Sequence, residues 1–280
     1  MCDVVTGVSV AGTGGAVRER RAVENVAVTL LSSPAHLIAA AELLQKRWGA
    51  RTDAQRVEVV STTTLRSLSH SGNYVAGAFH GRKMIGCAVG WVGLGPSGPP
   101  DHLHSDIAGA TKSNLGIGYL MKRHQRRWAL DRGLQKMRWT FDPLVARNAY
   151  FNLCKLGAVV TSFEPDFYGR LNDGVNDDQT TDRLVAEWDL RDPWVAQAPD
   201  SGYAPARRHV AVTPDAVLVP VPPDIIKLRQ ADPDQARQES RAMRKRFRKL
   251  LIKGGYRIAG MTRQGQYVLL PRHVSPVFEA

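Results

Sequence analysis

The chain has 280 residues, 43% of them hydrophobic, and carries 38 Lys and Arg against 26 Asp and Glu, for a formal net charge of +12. That length and apolar content allow a large buried core, organised as one domain or as one domain with an extension, and no apolar run reaches the roughly 18–20 residues that a membrane-spanning helix needs. Cys2, Cys87 and Cys154 are odd in number and lack metal-ligand spacing, which speaks against a disulfide scaffold or a metal centre and for a cytoplasmic protein.

Residues 1–25 are rich in Gly and Val without a stable period and read as a flexible arm. Asp3 and the lack of a basic start do not suggest a signal peptide. Val26–Leu31 reads as a strand. Ser33 followed by Pro34 predicts a helix running to about Trp48, because Ser before the first turn and Pro within it are the expected start signals. A short helix is expected near Val59–Leu68, ending at Ser71-Gly72. Tyr74–Phe79 and Lys83–Val92, joined by Gly81-Arg82, read as a hairpin. Gly93 to Pro100 forms a loop into the strand Leu103–Ala108, and there Cys87 is expected nearby as a small buried hydrophobe rather than a nucleophile.

The next segment is the most informative. Leu115-Gly116-Ile117-Gly118 opens a periodic helix, Ile117–Leu130. Glycines at 116 and 118 permit close backbone approach and leave the first N–H groups of the helix aimed outward, where its dipole favours an anion; loop glycines with no ligand are the alternative reading. Ile117, Met121, His124 and Trp128 form the apolar stripe, with His124 read as a satisfied core residue. Lys122, Arg123, Arg126 and Arg127 crowd the opposite side as a solvated face or as a positive field for a phosphate or an acidic partner. Trp139 to Pro143 ends a short strand, and a helix from Asn148 to Lys155 follows. Beyond Leu190, Arg191 to Thr213 reads as a connection and Val217–Val221 as a strand. Asp232-Pro233 caps a long helix to Lys253 whose buried stripe is Ala236, Met243, Phe247 and Leu250. Tyr256–Ala259 and Tyr267–Leu270 close a hairpin. Antiparallel strands with one helical crossover imply α+β architecture.

Several phrases in this order resemble the GNAT acyltransferase superfamily, within it a branch of predicted bacterial acetyltransferases. They are His104 to Gly109, Gly116-Ile117-Gly118, Trp128 to Leu130, Trp139 to Leu144, Arg147 to Leu153, Lys155 to Ala158, Phe167-Tyr168-Gly169, Asp173-Gly174, Asp182 to Leu184 and Glu187-Trp188. The resemblance is specific over Leu103 to Leu190 and looser from Val26 to Leu270. It implies a GNAT-like mixed, splayed central sheet flanked by helices over residues 26–191, with a strand-helix-hairpin extension over 192–280 packed on it. It also implies acetyl-CoA or another acyl-CoA as donor, without a metal. The strand residues Ile107, Ala108 and Gly109 would pair with the pantetheine, and Leu115, Gly116, Ile117, Gly118 and Tyr119 would hold the pyrophosphate, with Asn148 beside them. The chain departs from the family pattern at Ser113, where Gln or Arg is usual, at Leu153, where a general-acid tyrosine is frequent, and at Asp106, where relatives of the branch tend to show His.

The implied reaction is transfer of an acyl group to a small-molecule amine or hydroxyl; a GNAT-fold protein that no longer acylates, or one that uses another thioester, is the alternative. Amine acylation needs a base and a polariser for the thioester carbonyl. Asp106 and Asp142 are the carboxylates placed on the central strands, with turn capping before Pro143 as the other reading of Asp142 and a supporting hydrogen bond as that of Asp106. Tyr168 joins them through the resemblance. The positive charge suits CoA, or a phosphopantetheine arm on an acidic carrier protein. Nucleic acid is not the expected partner, since only Phe247 interrupts the densest basic run and no nucleic-acid-binding signature is present.

Overall fold

The computed structural model describes residues 25–111, 116–169, 180–197 and 208–279. The expected N-terminal arm, but for its last residue, therefore lies outside the described residues, as do Leu115, Ser113 and Asp173-Gly174.

Local signals explain most elements. Strand β1 is Val26–Leu30. Helix α1, Pro34–Arg47, starts at Ser33, whose hydroxyl accepts from the His36 N–H at 3.3 Å, and it buries Leu37, Ala40, Ala41 and Leu44 at helical spacing. The single helix expected near Val59–Leu68 is instead two, α2 Asp53–Val59 and α3 Thr62–His70. Thr52 and Gln55 form a reciprocal capping box for the first, Ser61 caps the second, and Val60 between them is extended, so two start signals override one apolar period. Strands β2 (Tyr74–His80) and β3 (Lys83–Leu94) make the hairpin, and β4 is Pro100–Ala110. Helix α4 spans Ile117–Leu130, β5 Lys136–Phe141, and α5 Ala146–Tyr150, which widens into a π turn over Phe151–Lys155. Strands β6 (Val159–Glu164) and β7 (Arg183–Asp189) and the short helix α6 (Pro193–Ala196) follow.

The remaining chain adds β8 (Val217–Val219), α7 (Ile225–Ala231), α8 (Pro233–Phe247) with a π turn over Arg248–Lys253, β9 (Tyr256–Met261) and β10 (Tyr267–Pro271). Helix α7 was not expected; Asp224 caps it by accepting from the Lys227 N–H at 3.1 Å.

The architecture is α+β. The large sheet has the order β1-β2-β3-β4-β5-β7-β6, and every neighbouring pair is antiparallel except β4 with β5. One parallel pair is what a helical crossover, here α4, produces. A second sheet has the order β8-β10-β9. Helices α1 and α3 cover one face of the large sheet, where Leu37, Leu44 and Leu65 pack with Val75, Cys87, Val89 and Ile107. The other face is continuous with the C-terminal segment: Met137, Phe163 and Leu184 share a core with Met243, Phe247, Ile258 and Tyr267. Among the described residues no helix is long and apolar enough to cross a membrane.

Candidate functional site

Strands β4 and β5 part company soon after they meet. They pair only at His102 with Lys136, Leu103 with Met137 and His104 with Arg138. Past that point β5 stays with β7 through Phe141, while β4 stays with β3 through Ala110. A bulge drives the divergence: Ser105 faces Gly90 and Ala108 faces Ala88, so Asp106 and Ile107 together oppose Val89. A bulge bends its strand and increases local twist. Gly90 permits it, because a Cβ there would lie 2.5 Å from the His104 carbonyl oxygen. From Ser105 to Ala110 the edge of β4 that faces β5 has no strand partner among the described residues, and such an edge can pair with the amides of an extended ligand.

The same strand leads to the start of α4. Gly116 is its N-cap, in the left-handed region at φ 78°, and neither a capping side chain nor an acidic residue occupies the first turn. Helix N-terminal amides left in this way suit an anion. At Gly118 the nearest atom to an added Cβ is on the Phe151 ring, 3.8 Å away. Ile117 and Tyr119 are buried, as is Ile107, so at these positions the backbone, not the side chain, is what a ligand would meet. Ala108 is exposed, and its carbonyl accepts from the Trp48 indole at 3.3 Å. Gly109 packs against α1, where a Cβ would meet Arg47 at 3.2 Å. Asn148 is exposed in the first turn of α5.

The three residues expected to perform chemistry lie on three different segments of the chain. Asp106 sits in the bulge, exposed at the fork, with no hydrogen-bond or ion-pair partner among the described residues, and partial desolvation raises its pKa to about 6. Asp142 lies just past the end of β5 and is fully engaged. One oxygen accepts from the Leu144 N–H at 2.8 Å, and the other pairs with Arg229 of α7 at 2.7 Å. That geometry is a turn cap tied to the C-terminal segment, and it occupies both oxygens of Asp142. Tyr168, in the turn after β6, exchanges a hydrogen bond with Thr140 of β5 at 2.9 Å and is 42% exposed. No described hydrogen bond or ion pair joins any two of the three.

The Arg-rich face of α4 departs from expectation. Lys122 is buried against strands β4 and β5, and Arg123 is buried where the chain from Leu190 to α6 packs over the helix: Arg123 donates to the Val195 carbonyl and Arg126 to that of Leu190, both at 2.8 Å. His124 meets the core expectation, with its Nδ1 2.8 Å from the Tyr74 hydroxyl. The sequence does hold a sign of this burial, since like charges four residues apart oppose a helix that has no partners for them. Trp91 and His104 were not expected as a unit either. Their rings stack at 4.9 Å on the face of the sheet away from α4, and burial first, then His102 and Lys122, lower the His104 pKa to about 4. Antiparallel register, invisible in spacing, puts them together.

Among the described residues no group of three or more His, Cys, Asp or Glu is placed to hold a metal. A cleft of about 430 Å³ lies between the Pro220–Pro223 segment and α8, bounded by Leu228, Gln235, Glu239 and Arg246; none of the fork residues lines it.

The mixed sheet forks at its one parallel pair, with a glycine-started helix after the bulged strand, as the resemblance to the GNAT superfamily led us to expect. The chain is similar to the ribosomal-protein-S18-alanine N-acetyltransferase from Escherichia coli, with 16% identity over 59% of this chain and 94% of that one, at a TM-score of 0.46. It is also similar to the ribosomal-protein-S5-alanine acetyltransferase from Vibrio fischeri (14%, 60% and 94%, TM-score 0.45) and to yncA from Salmonella typhimurium, solved with its cofactor acetyl-CoA (15%, 62% and 98%, TM-score 0.47). No protein-family model matches the chain, and no curated protein matches it.

Proposed function

We propose that this protein is an acyl-CoA-dependent acyltransferase that moves an acetyl or other acyl group to an amine or hydroxyl of a small molecule. The fork carries the reading: a strand edge from Ser105 to Ala110 that has no strand partner among the described residues runs toward a glycine-started helix whose N-cap offers no side chain, which matches in order an amide-bearing arm followed by a pyrophosphate. The residues present fit such a donor through their backbone at Ile107, Ala108, Gly109, Gly116, Ile117, Gly118 and Tyr119, with the exposed Asn148 of α5 as a further polar group and no metal required. A thioester would supply the activated acyl carbon. Asp106, exposed in the bulge with a pKa near 6, would accept the proton of the acceptor. Thr140 on the β5 arm and its partner Tyr168, from the turn after β6, would position the acceptor.

The donor could also arrive as a phosphopantetheine thioester on an acidic carrier protein. Arg241, Lys245, Arg248, Lys249 and Lys253 are exposed along α8 and its π turn, and they would attract such a partner. A fold relative that binds ligand without acylating is the remaining reading, and the buried Leu153, which has no proton to give, motivates it. Calorimetry with acetyl-CoA and with free CoA is the first test. Binding of both is expected, and no heat at near-millimolar ligand would overturn the CoA reading; a screen of CoA thioesters against pooled amines then separates a transferase from a binder.

A further inference from the structure

An amine closes the apex of the fork from the helix side. Ser105 and Trp139 are the first residues of β4 and β5 beyond the last paired positions, His104 and Arg138. Lys122, on the second turn of α4, reaches both arms: its Nζ donates to Ser105 Oγ at 3.0 Å and lies 3.8 Å from the centre of the Trp139 ring, with Met137 Sδ at 3.6 Å. Gln125, one turn along the same helix, hydrogen-bonds the same Ser105 hydroxyl. Lys122 is 8% exposed, and no carboxylate pairs with it among the described residues. Its titratable neighbour across the sheet is His104, which stays neutral near pH 7. A buried lysine is expensive for stability unless it is paired. Here, among the described residues, a hydroxyl, an indole face and a thioether sulfur stand in for a counter-charge, at the point where a thioester held along β4 would end.

We propose that Lys122 serves the leaving group, holding and protonating the thiolate released when an acyl thioester bound in the fork is cleaved. The inference rests on the acyl-CoA reading above. In that step the lone pair of the acceptor nitrogen or oxygen forms a bond to the acyl carbon. The carbon–sulfur bond breaks with its electron pair on sulfur. A proton passes from the Lys122 ammonium to sulfur, giving a thiol and a neutral amine, while the acceptor's proton passes to the Asp106 carboxylate; exchange with solvent restores both groups. Desolvation lowers the Lys122 pKa to about 7, which suits a group that must both give and regain a proton near neutrality. The arrangement also answers the absence of a proton donor at Leu153, which lies buried in the core.

Free CoA is the probe. Its thiol is titrated by the ultraviolet absorbance of the thiolate while bound to the wild type, to Lys122→Met and to Lys122→Arg, with affinity measured by calorimetry at pH 6. The bound thiol should ionise at least about tenfold more readily on the wild type than on Lys122→Met, and Lys122→Arg, which keeps a permanent charge, should restore that ease of ionisation, since a nearby cation favours the thiolate. Affinity at pH 6 should stay within about threefold, because the thiol is uncharged there. Equal ionisation on the wild type and a folded Lys122→Met overturns the inference and leaves the donor reading standing. No CoA binding to the wild type overturns the donor reading, and this inference with it. A measurement on the wild type alone guards against a variant that fails to fold: the amine nitrogen of Lys122, followed by NMR, should titrate at higher pH with CoA than without, and an unmoved titration overturns the inference.

Discussion

Two ionisable side chains at the fork have pKa values displaced in opposite senses, and each displacement has a readable consequence. Asp106 must be ionised to accept a proton and Lys122 protonated to give one, so turnover should rise with pH through an inflection near 6 and fall again as Lys122 loses its proton above about 7. Asp106→Asn keeps size and hydrogen bonding but removes the base; turnover should fall on the order of a hundredfold and lose that inflection, with CoA affinity unchanged. If the Asn variant turns over normally while Asp142→Asn is dead at full folding, the base is Asp142. Lys122 acts on stability as well. Its folded pKa, about 7, lies below its ordinary 10.5, so between those values the unfolded chain holds a proton that the folded chain has released. Stability contributed at this site therefore rises with pH across that window, and the full penalty of burying the charge is felt below it. Lys122→Met, which fits the same space, should melt higher than the wild type near pH 6, with the difference shrinking toward pH 10; thermal melts at several pH values follow it, and a constant difference would contradict the lowered pKa.

At the level of elements, the glycines before and within α4 have separate roles. Gly116 has a positive φ, so Gly116→Ala should cost about 1–2 kcal/mol through strain at the N-cap. Gly118 is unstrained and faces open space as far as the Phe151 ring, so Gly118→Val should fold. The valine would then stand where a pyrophosphate approaches, and CoA binding should weaken by about 1–3 kcal/mol, the scale of charged hydrogen bonds lost. An unchanged dissociation constant would remove this cradle. The sequence located these features well because caps and turns act over three or four residues. It missed the division of α2 from α3, and α7 altogether, for a related reason: Thr52, Ser61 and Asp224 are each one-residue signals that an apolar period does not register.

On the scale of the whole molecule, the C-terminal segment completes the core. Phe247 lies edge-on between Phe163 of the large sheet and Tyr267 of the small one, and the Tyr267 hydroxyl donates to the Pro143 carbonyl at 2.9 Å. The Asp142–Arg229 pair joins the two parts, with both side chains largely buried at 13% and 8% exposure. Removing one partner of such a pair costs on the order of 3–5 kcal/mol, because the other charge is left buried and alone. Denaturant melts of Asp142→Asn should show a loss of that order, and a fragment limited to residues 26–191 should aggregate instead of folding, as judged by size-exclusion chromatography. Strand and helix order, the α+β class, the glycine turn and the position of Asp106 were legible in the chain, since periods of 2 and 3.6 and short-range caps depend on neighbours in sequence. The fork came only through the family resemblance, and the residues at which it opens, the burial of Lys122 and the capture of Asp142 by Arg229 were not legible. Each depends on which distant segment arrives opposite a given side chain, and a charge has the same spacing in the sequence whether water or a strand ends up beside it.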